Sequence, residues 1–132
     1  QGLRQRVAVA SVLTMNPKVL IVDEPTTGQD LARSKIVMNL AKRLCEKGRT
    51  IIIISHNMDL VAEYCERLVV MLDGQVLVSG RTKQVFSQPE LIKQSSLEPP
   101  QVTQLGQALH EFRFPPDVLT IEEMSAVVSG VN

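Results

Sequence analysis

Tryptophan is absent from the 132 residues, and one tyrosine and three phenylalanines make up the whole aromatic content of 3%. Proteins that hold single-stranded nucleic acid without sequence preference stack bases on aromatic rings, and this chain has almost none to offer. Neither sign of charge is in excess: 14 Lys and Arg stand against 14 Asp and Glu, for a net charge of zero. A grip on a phosphate backbone rests on surplus Lys and Arg, so a nucleic-acid partner is not expected. Long apolar runs are also missing. The longest hold four or five residues, such as Ile51 to Ile54 and Leu68 to Leu72, against about 20 for a helix that crosses a bilayer. Only two cysteines occur, Cys45 and Cys65. Their spacing suits neither a C-x-x-C metal pattern nor a disulfide framework, which predicts buried free thiols in a reducing compartment. No signal peptide and no initiator methionine open the chain. Its start, Gln1-Gly2-Leu3-Arg4, reads as a cut through a longer unit.

Hydrophobic residues make up 44% of the chain, enough for a core, and the length suits one domain or a piece of one. The apolar, small-residue segment Val7 to Leu13 is predicted to be a helix ending ahead of Asn16-Pro17. Val19-Leu20-Ile21-Val22 is a short continuous apolar run, the pattern of a strand buried on both faces of a parallel sheet. It stops at Asp23-Glu24-Pro25. Thr26 to Gln29 form a turn, and Asp30 is a suitable N-cap for a helix whose apolar positions are Ile36, Val37, Leu40, Ala41, Leu44 and Cys45. Gly48 stands where a left-handed C-terminal cap belongs.

A second buried strand is expected over Thr50 to Ser55, followed by His56 and a helix capped by Asn57 or Asp59. Leu68 to Leu72 and Gln75 to Ser79 flank Asp73-Gly74, a tight-turn dipeptide, and predict a hairpin. Strands alternating with helices imply a parallel sheet with right-handed crossovers, to which the hairpin would add at an edge. From Arg81 onward short helical patterns are broken by Pro99-Pro100 and Pro115-Pro116, and Thr120 to Glu123 have the form of a capping box. Residues 81–132 are therefore expected to be a small helical segment after the α/β part, 1–80.

In open α/β sheets ligands bind beyond the C-terminal ends of the parallel strands. One such end carries Asp23 and Glu24, the other Ser55 and His56. A carboxylate that ends a short apolar strand is the Walker B arrangement, in which an Asp helps to hold Mg²⁺. The carboxylate after it is placed to orient or activate a water. A histidine at the neighbouring tip can contact a transferred phosphoryl group. Each residue also has an ordinary explanation: Asp-Glu as a solvated turn, His56 as a polar strand tip, Asp30 as a helix cap.

Two strings carry a family likeness. Gly2-Leu3-Arg4-Gln5-Arg6-Val7-Ala8-Val9-Ala10, followed by Asn16-Pro17-Lys18-Val19-Leu20-Ile21-Val22-Asp23-Glu24-Pro25-Thr26, resembles the C-terminal half of an ATP-binding-cassette (ABC) ATPase of the P-loop NTPase, RecA-like class. Their order and spacing, on to the D-loop and the switch histidine, fit throughout. The resemblance implies an α/β fold with a parallel sheet covered by helices on both faces, an edge hairpin and a helical C-terminal segment. It implies Asp23 as the Mg²⁺-linked aspartate, Glu24 as the general base, His56 as the switch-loop histidine and Asp30 as the D-loop aspartate at a dimer interface. Gly2 resembles the signature-loop glycine whose backbone approaches the γ-phosphate held by the opposite subunit. Gln1 and Leu3 depart from the usual signature, and Gln29 replaces the more common Leu.

Thr26-Thr27-Gly28-Gln29-Asp30, the segment His56 to Tyr64, and Pro99-Pro100-Gln101-Val102-Thr103-Gln104-Leu105 are similar to the energy-coupling-factor (ECF) branch, importers of vitamins and of cobalt or nickel. The implied cofactors are ATP and Mg²⁺. The implied partners are a second ABC ATPase domain and membrane-embedded transport subunits, at the cytoplasmic face of the cell membrane. A phosphate loop G-x-x-x-x-G-K-[ST] is lacking: Gly74 to Gly80 followed by Arg81-Thr82 has the wrong spacing, lacks the Lys and falls on a hairpin. The chain alone is therefore expected not to turn over ATP. Other readings are a different ABC ATPase, exporter or non-transport, and a regulatory or dimerisation module with a degenerate site.

Overall fold

The computed structural model describes residues 11 and 14–130. The expected helix over Val7 to Leu13 falls largely outside them. Ser11 and Thr14 are helical, and the chain has left the helix by Asn16, ahead of Pro17. The chain divides into two compact units, Gln1–His56 and Asn57–Asn132.

In the first unit β1 (Val19–Asp23) and β2 (Thr50–Ile54) pair in parallel, with Asp23 opposite Ile54. A helix, α1 (Leu31–Glu46), makes the crossover. Its start is set by Asp30, whose Oδ1 accepts from the Arg33 amide at 2.8 Å and satisfies one of the four donors a helix leaves unpaired at its N-terminus. Its end is set by Gly48 at φ +80°. The Gly48 amide donates to Cys45 and the Arg49 amide to Leu44, the pair of bonds of a Schellman cap. At the N-terminal end of the strand pair, the Thr50 amide donates to the Lys18 carbonyl at 2.9 Å and the Arg49 guanidinium to Asn16 Oδ1 at 2.5 Å.

Successive strand residues point to opposite faces. Leu20, Val22, Ile51 and Ile53 are half-buried on the side of Val37, Met38, Ala41 and Leu44 of α1. The other face carries Val19, Ile21, Ile52 and Ile54, which are 46–62% exposed. The expectation that both strands are buried on both faces therefore holds on one face only. An unbroken apolar run shows that both faces accept covering, but coverage depends on which other elements pack there. Cys45 corrects a second expectation. Neither cysteine is in a disulfide, but Cys45 is exposed near the end of α1 and Cys65 is half-buried.

The second unit begins with α2 (Met58–Tyr64), capped by Asn57 through its Oδ1 and the Leu60 amide. The hairpin strands β3 (Arg67–Leu72) and β4 (Gln75–Arg81) meet at Asp73 and Gly74, with φ of +50° and +77°, the left-handed pair that a tight two-residue hairpin turn requires. Among the described residues the two hairpin strands pair with each other as an antiparallel two-stranded sheet. Its strands share a core with the helices around them: Met58, Val61, Ala62, Val70, Val85, Phe86, Ile92 and Leu119 are all buried together.

Four further helices follow: α3 (Thr82–Phe86), α4 (Pro89–Gln94), α5 (Gln101–Ala108) and α6 (Ile121–Gly130), with a 3₁₀ turn at His110–Phe112. Phe86 and Ile92 are wholly buried, and each contributes about 1.5–3 kcal/mol of apolar burial. Thr103 is wholly buried too, its hydroxyl donating to the Val118 carbonyl. Thr120 caps α6 through the Glu123 amide, and the Glu123 carboxylate accepts from the Leu119 amide at 2.8 Å while pairing with Lys83 at 3.0 Å.

Candidate functional site

The first unit brings the C-terminal tips of β1 and β2 side by side. Parallel register sets Asp23 beside Ile54, and one more bond, from the Glu24 amide to the Ile54 carbonyl at 2.9 Å, ties Glu24 to the end of β2. Glu24 lies in the left-handed region at φ +44°. That conformation costs an ordinary L-residue about 1–2 kcal/mol and persists only when its surroundings over-determine it. Here they do, through the ladder bond and the turn that follows. The Thr27 amide donates to the Glu24 carbonyl at 3.3 Å, the Gln29 amide to Thr26 at 3.1 Å, and the Gln29 side-chain amide to Pro25 at 3.0 Å.

The left-handed turn accompanies a contact made 32 residues along the chain. Glu24 Oε1 accepts from the His56 backbone amide at 3.1 Å and lies 2.6 Å from His56 Nδ1. Glu24 Oε2 accepts from the Thr27 hydroxyl at 3.1 Å. Desolvation raises the proton affinity of this carboxyl. The His56 ring, the Thr27 hydroxyl and the His56 amide outweigh it and hold the group below its ordinary value of 4.5. An ionised carboxylate can only accept, so Nδ1 of His56 carries the proton in this contact. The imidazole is thus oriented by Glu24, with Nε2 the nitrogen left to meet a ligand. The His56 side chain is 75% exposed and that of Glu24 is 33% exposed, so the pair sits at an accessible strand tip rather than in the core.

The other expected site residues fall as follows. Asp23 ends β1 with its residue exposed. Among the described residues no three His, Cys, Asp or Glu side chains converge as a metal cage. A single exposed carboxylate oxygen donor suits Mg²⁺, a hard ion that keeps several waters and is completed by substrate phosphates. Asp30 is exposed and caps α1, with Arg33 Nε 3.4 Å from its Oδ2. A surface pair of that kind contributes little. Ser55 is half-buried at the end of β2. Gly2 lies outside the described residues. The string Gly74 to Gly80 lies in the hairpin turn and β4, and is no phosphate loop. Sequence reasoning treated Thr27 only as part of a turn. A hydroxyl three residues after a strand-tip carboxylate, inside a tight turn, was the signal that could have found it.

No protein-family model matches the chain. Curated relatives do. A putative ABC transporter ATP-binding protein of Caldanaerobacter subterraneus is 45% identical over 124 residues, 94% of this chain and 21% of the relative. The energy-coupling factor transporter ATP-binding protein EcfA2 of Streptococcus pyogenes is 40% identical over 129 residues, 96% of this chain and 46% of the relative. Among solved structures, cbiO1 of Clostridium perfringens, described as part of the ABC transporter complex cbiONQ, superposes with a TM-score of 0.61 at 42% identity. That superposition covers 79% of this chain and 42% of cbiO1. The chain spans between about a fifth and just under half the length of these relatives. Matched over 94% and 96% of its length by these two curated relatives, the chain belongs to the ATP-binding proteins of ABC transporters, with ECF and cbiO types among its relatives.

Proposed function

We propose that this chain is the C-terminal part of the ATP-hydrolysing subunit of an ABC importer. Residues 1–80 would be the catalytic part and 81–132 the C-terminal segment of ECF type. The observation that carries the reading is the contact between Glu24 and His56 at 2.6 Å, which joins the two strand tips. In this reading Glu24 accepts the proton of the attacking water. His56, oriented through Nδ1, presents Nε2 to the transferred phosphoryl group. Asp23 holds Mg²⁺, which, when bound with ATP, neutralises charge that develops on the phosphoryl oxygens. Asp30 stands at the interface with a second ABC ATPase domain, and the Gly2 backbone approaches the γ-phosphate bound by that partner.

Hydrolysis would drive membrane-embedded subunits at the cytoplasmic face of the cell membrane, through a population shift between open and closed dimers. The solute class is a vitamin or a transition-metal ion. The support for this branch is the likeness to EcfA2 and cbiO1 over nearly the whole chain.

The test is ATP turnover by the full-length polypeptide with its partner domain, wild type against Glu24→Gln. General-base catalysis contributes about 10²–10⁴-fold. Turnover is expected to fall by at least about 10²-fold, with ATP still bound and the dimer retained. Unchanged turnover would remove Glu24 from this role. Nucleotide binding without turnover in the wild type would favour a regulatory module.

A further inference from the structure

His56 holds the Glu24 carboxylate at Oε1, through its backbone amide and through Nδ1. The terminal torsion of a glutamate is broad and roughly two-fold. The two oxygens turn together about the Cγ–Cδ bond, so a bond at each oxygen holds that rotation from both ends. Oε2 accepts from the Thr27 hydroxyl at 3.1 Å.

We infer that Thr27 is a positioning residue of this site: its hydroxyl, donating to Oε2, holds the rotation of the Glu24 carboxylate together with the His56 contacts on Oε1. The inference rests on the reading of Glu24 as the general base.

Three features of the loop suit Thr27 to that task. Its amide donates to the Glu24 carbonyl at 3.3 Å, so one residue grips Glu24 at the backbone and at the carboxylate. Its β-branched side chain is stiff about χ1, so the hydroxyl direction is restricted before any bond forms. The turn behind it is braced as well. Gly28, at φ +72°, supplies the left-handed residue, and Gln29 closes the loop twice, through its amide onto Thr26 and its side chain onto Pro25. Gln29 stands where Leu is more common in the family, and a Leu side chain cannot make the bond to Pro25. The positioning of Oε2 thus depends on a hydroxyl held by a turn that this sequence fastens with its own amide side chain. Thr27 is exposed, so changing it removes no core packing.

The experiment measures kcat and KM for ATP in the full-length polypeptide with its partner domain, for wild type, Thr27→Val, Thr27→Ser and Glu24→Gln. Valine keeps the branched shape and removes the donor, and serine keeps the donor. A small misplacement of a reacting group costs one to two orders of magnitude. Thr27→Val is expected to lower kcat about tenfold, with KM for ATP changed less than about twofold. Thr27→Ser is expected to recover most of that loss. Wild-type kcat in Thr27→Val, or equal defects in Val and Ser, would overturn the inference while a dead Glu24→Gln left the base assignment standing. Wild-type turnover in Glu24→Gln would overturn the base assignment itself, and the inference with it.

Discussion

The close approach of α5 to the loop before α6 allows a quantitative prediction for Gly106→Ala. Gly106 is a buried residue inside a helix, where alanine would ordinarily gain about 1 kcal/mol. A Cβ built at this position would meet the Pro115 carbonyl oxygen at 2.6 Å, about 0.8 Å inside ordinary contact at 3.4 Å. The obstacle is backbone, and it belongs to Pro115-Pro116, where both rings fix φ and leave the loop little room to yield. Moving α5 away would also strain the buried bond from Thr103 to Val118. Overpacking of this kind costs about 1–3 kcal/mol. Set against the propensity gain, the net expectation is a loss of up to about 2 kcal/mol. The assay is amide hydrogen exchange over residues 101–130 in the full-length polypeptide, because local opening reports local stability. One to two kcal/mol corresponds to exchange about 5–30-fold faster. Ser125→Ala, on an exposed position of α6, is the control and is expected to slow exchange slightly or leave it unchanged. Exchange in Gly106→Ala as slow as in wild type, with the control behaving as expected, would refute the steric argument.

Asp30 carries two separable roles. Asp30→Ala removes the cap of α1 and is expected to cost about 1 kcal/mol of stability by chemical denaturation, whereas Asp30→Ser keeps a capping oxygen and most of that stability. If Asp30 also serves the proposed dimer interface, Asp30→Ser lowers ATP turnover while remaining stable. Equal turnover in Asp30→Ser and wild type would confine the residue to capping. Glu123 gives an acid-side signature. Desolvation raises its proton affinity, but the amides of Leu119 and Thr120 and the Lys83 ammonium outweigh it and hold the carboxyl below 4.5. A depressed folded-state value means that the stabilisation is present above the unfolded value and is lost as pH falls through the folded one. Denaturation midpoints measured from about pH 6 to about pH 3 are expected to fall less steeply for Glu123→Gln than for wild type. An identical slope would show that the carboxylate contributes nothing to this dependence.

Much of this architecture was legible because its causes are local. Asp30 caps α1 through an amide three residues away, and Gly48 ends it with bonds reaching back three to five residues. Asp73-Gly74 makes the hairpin turn because those two residues tolerate the left-handed backbone. Strand and helix boundaries accordingly fall within one or two residues of expectation. The strand-tip placement of Asp23-Glu24 and Ser55-His56 was legible for a different reason: a polar pair directly after an apolar strand sits at a strand tip in any parallel sheet.

The pairing of those tips was not local, and the sequence alone could not place Oε1 of Glu24 at 2.6 Å from a ring 32 residues away. That required the parallel register of β1 and β2 and a left-handed backbone at a glutamate, a conformation that no residue-type preference announces. Thr27 acquired a partner only once Glu24 had turned toward it. Coverage followed the same rule. Alternation marked which residues of β1 and β2 share a face, but the exposure of Val19, Ile21, Ile52 and Ile54 was set by which elements pack together. The sequence by itself thus determined the elements, their caps and turns, and the residues at the strand tips. Only the tertiary structure decided register, coverage and the hydrogen bonds that make a site of them, because those depend on surfaces brought together from distant parts of the chain.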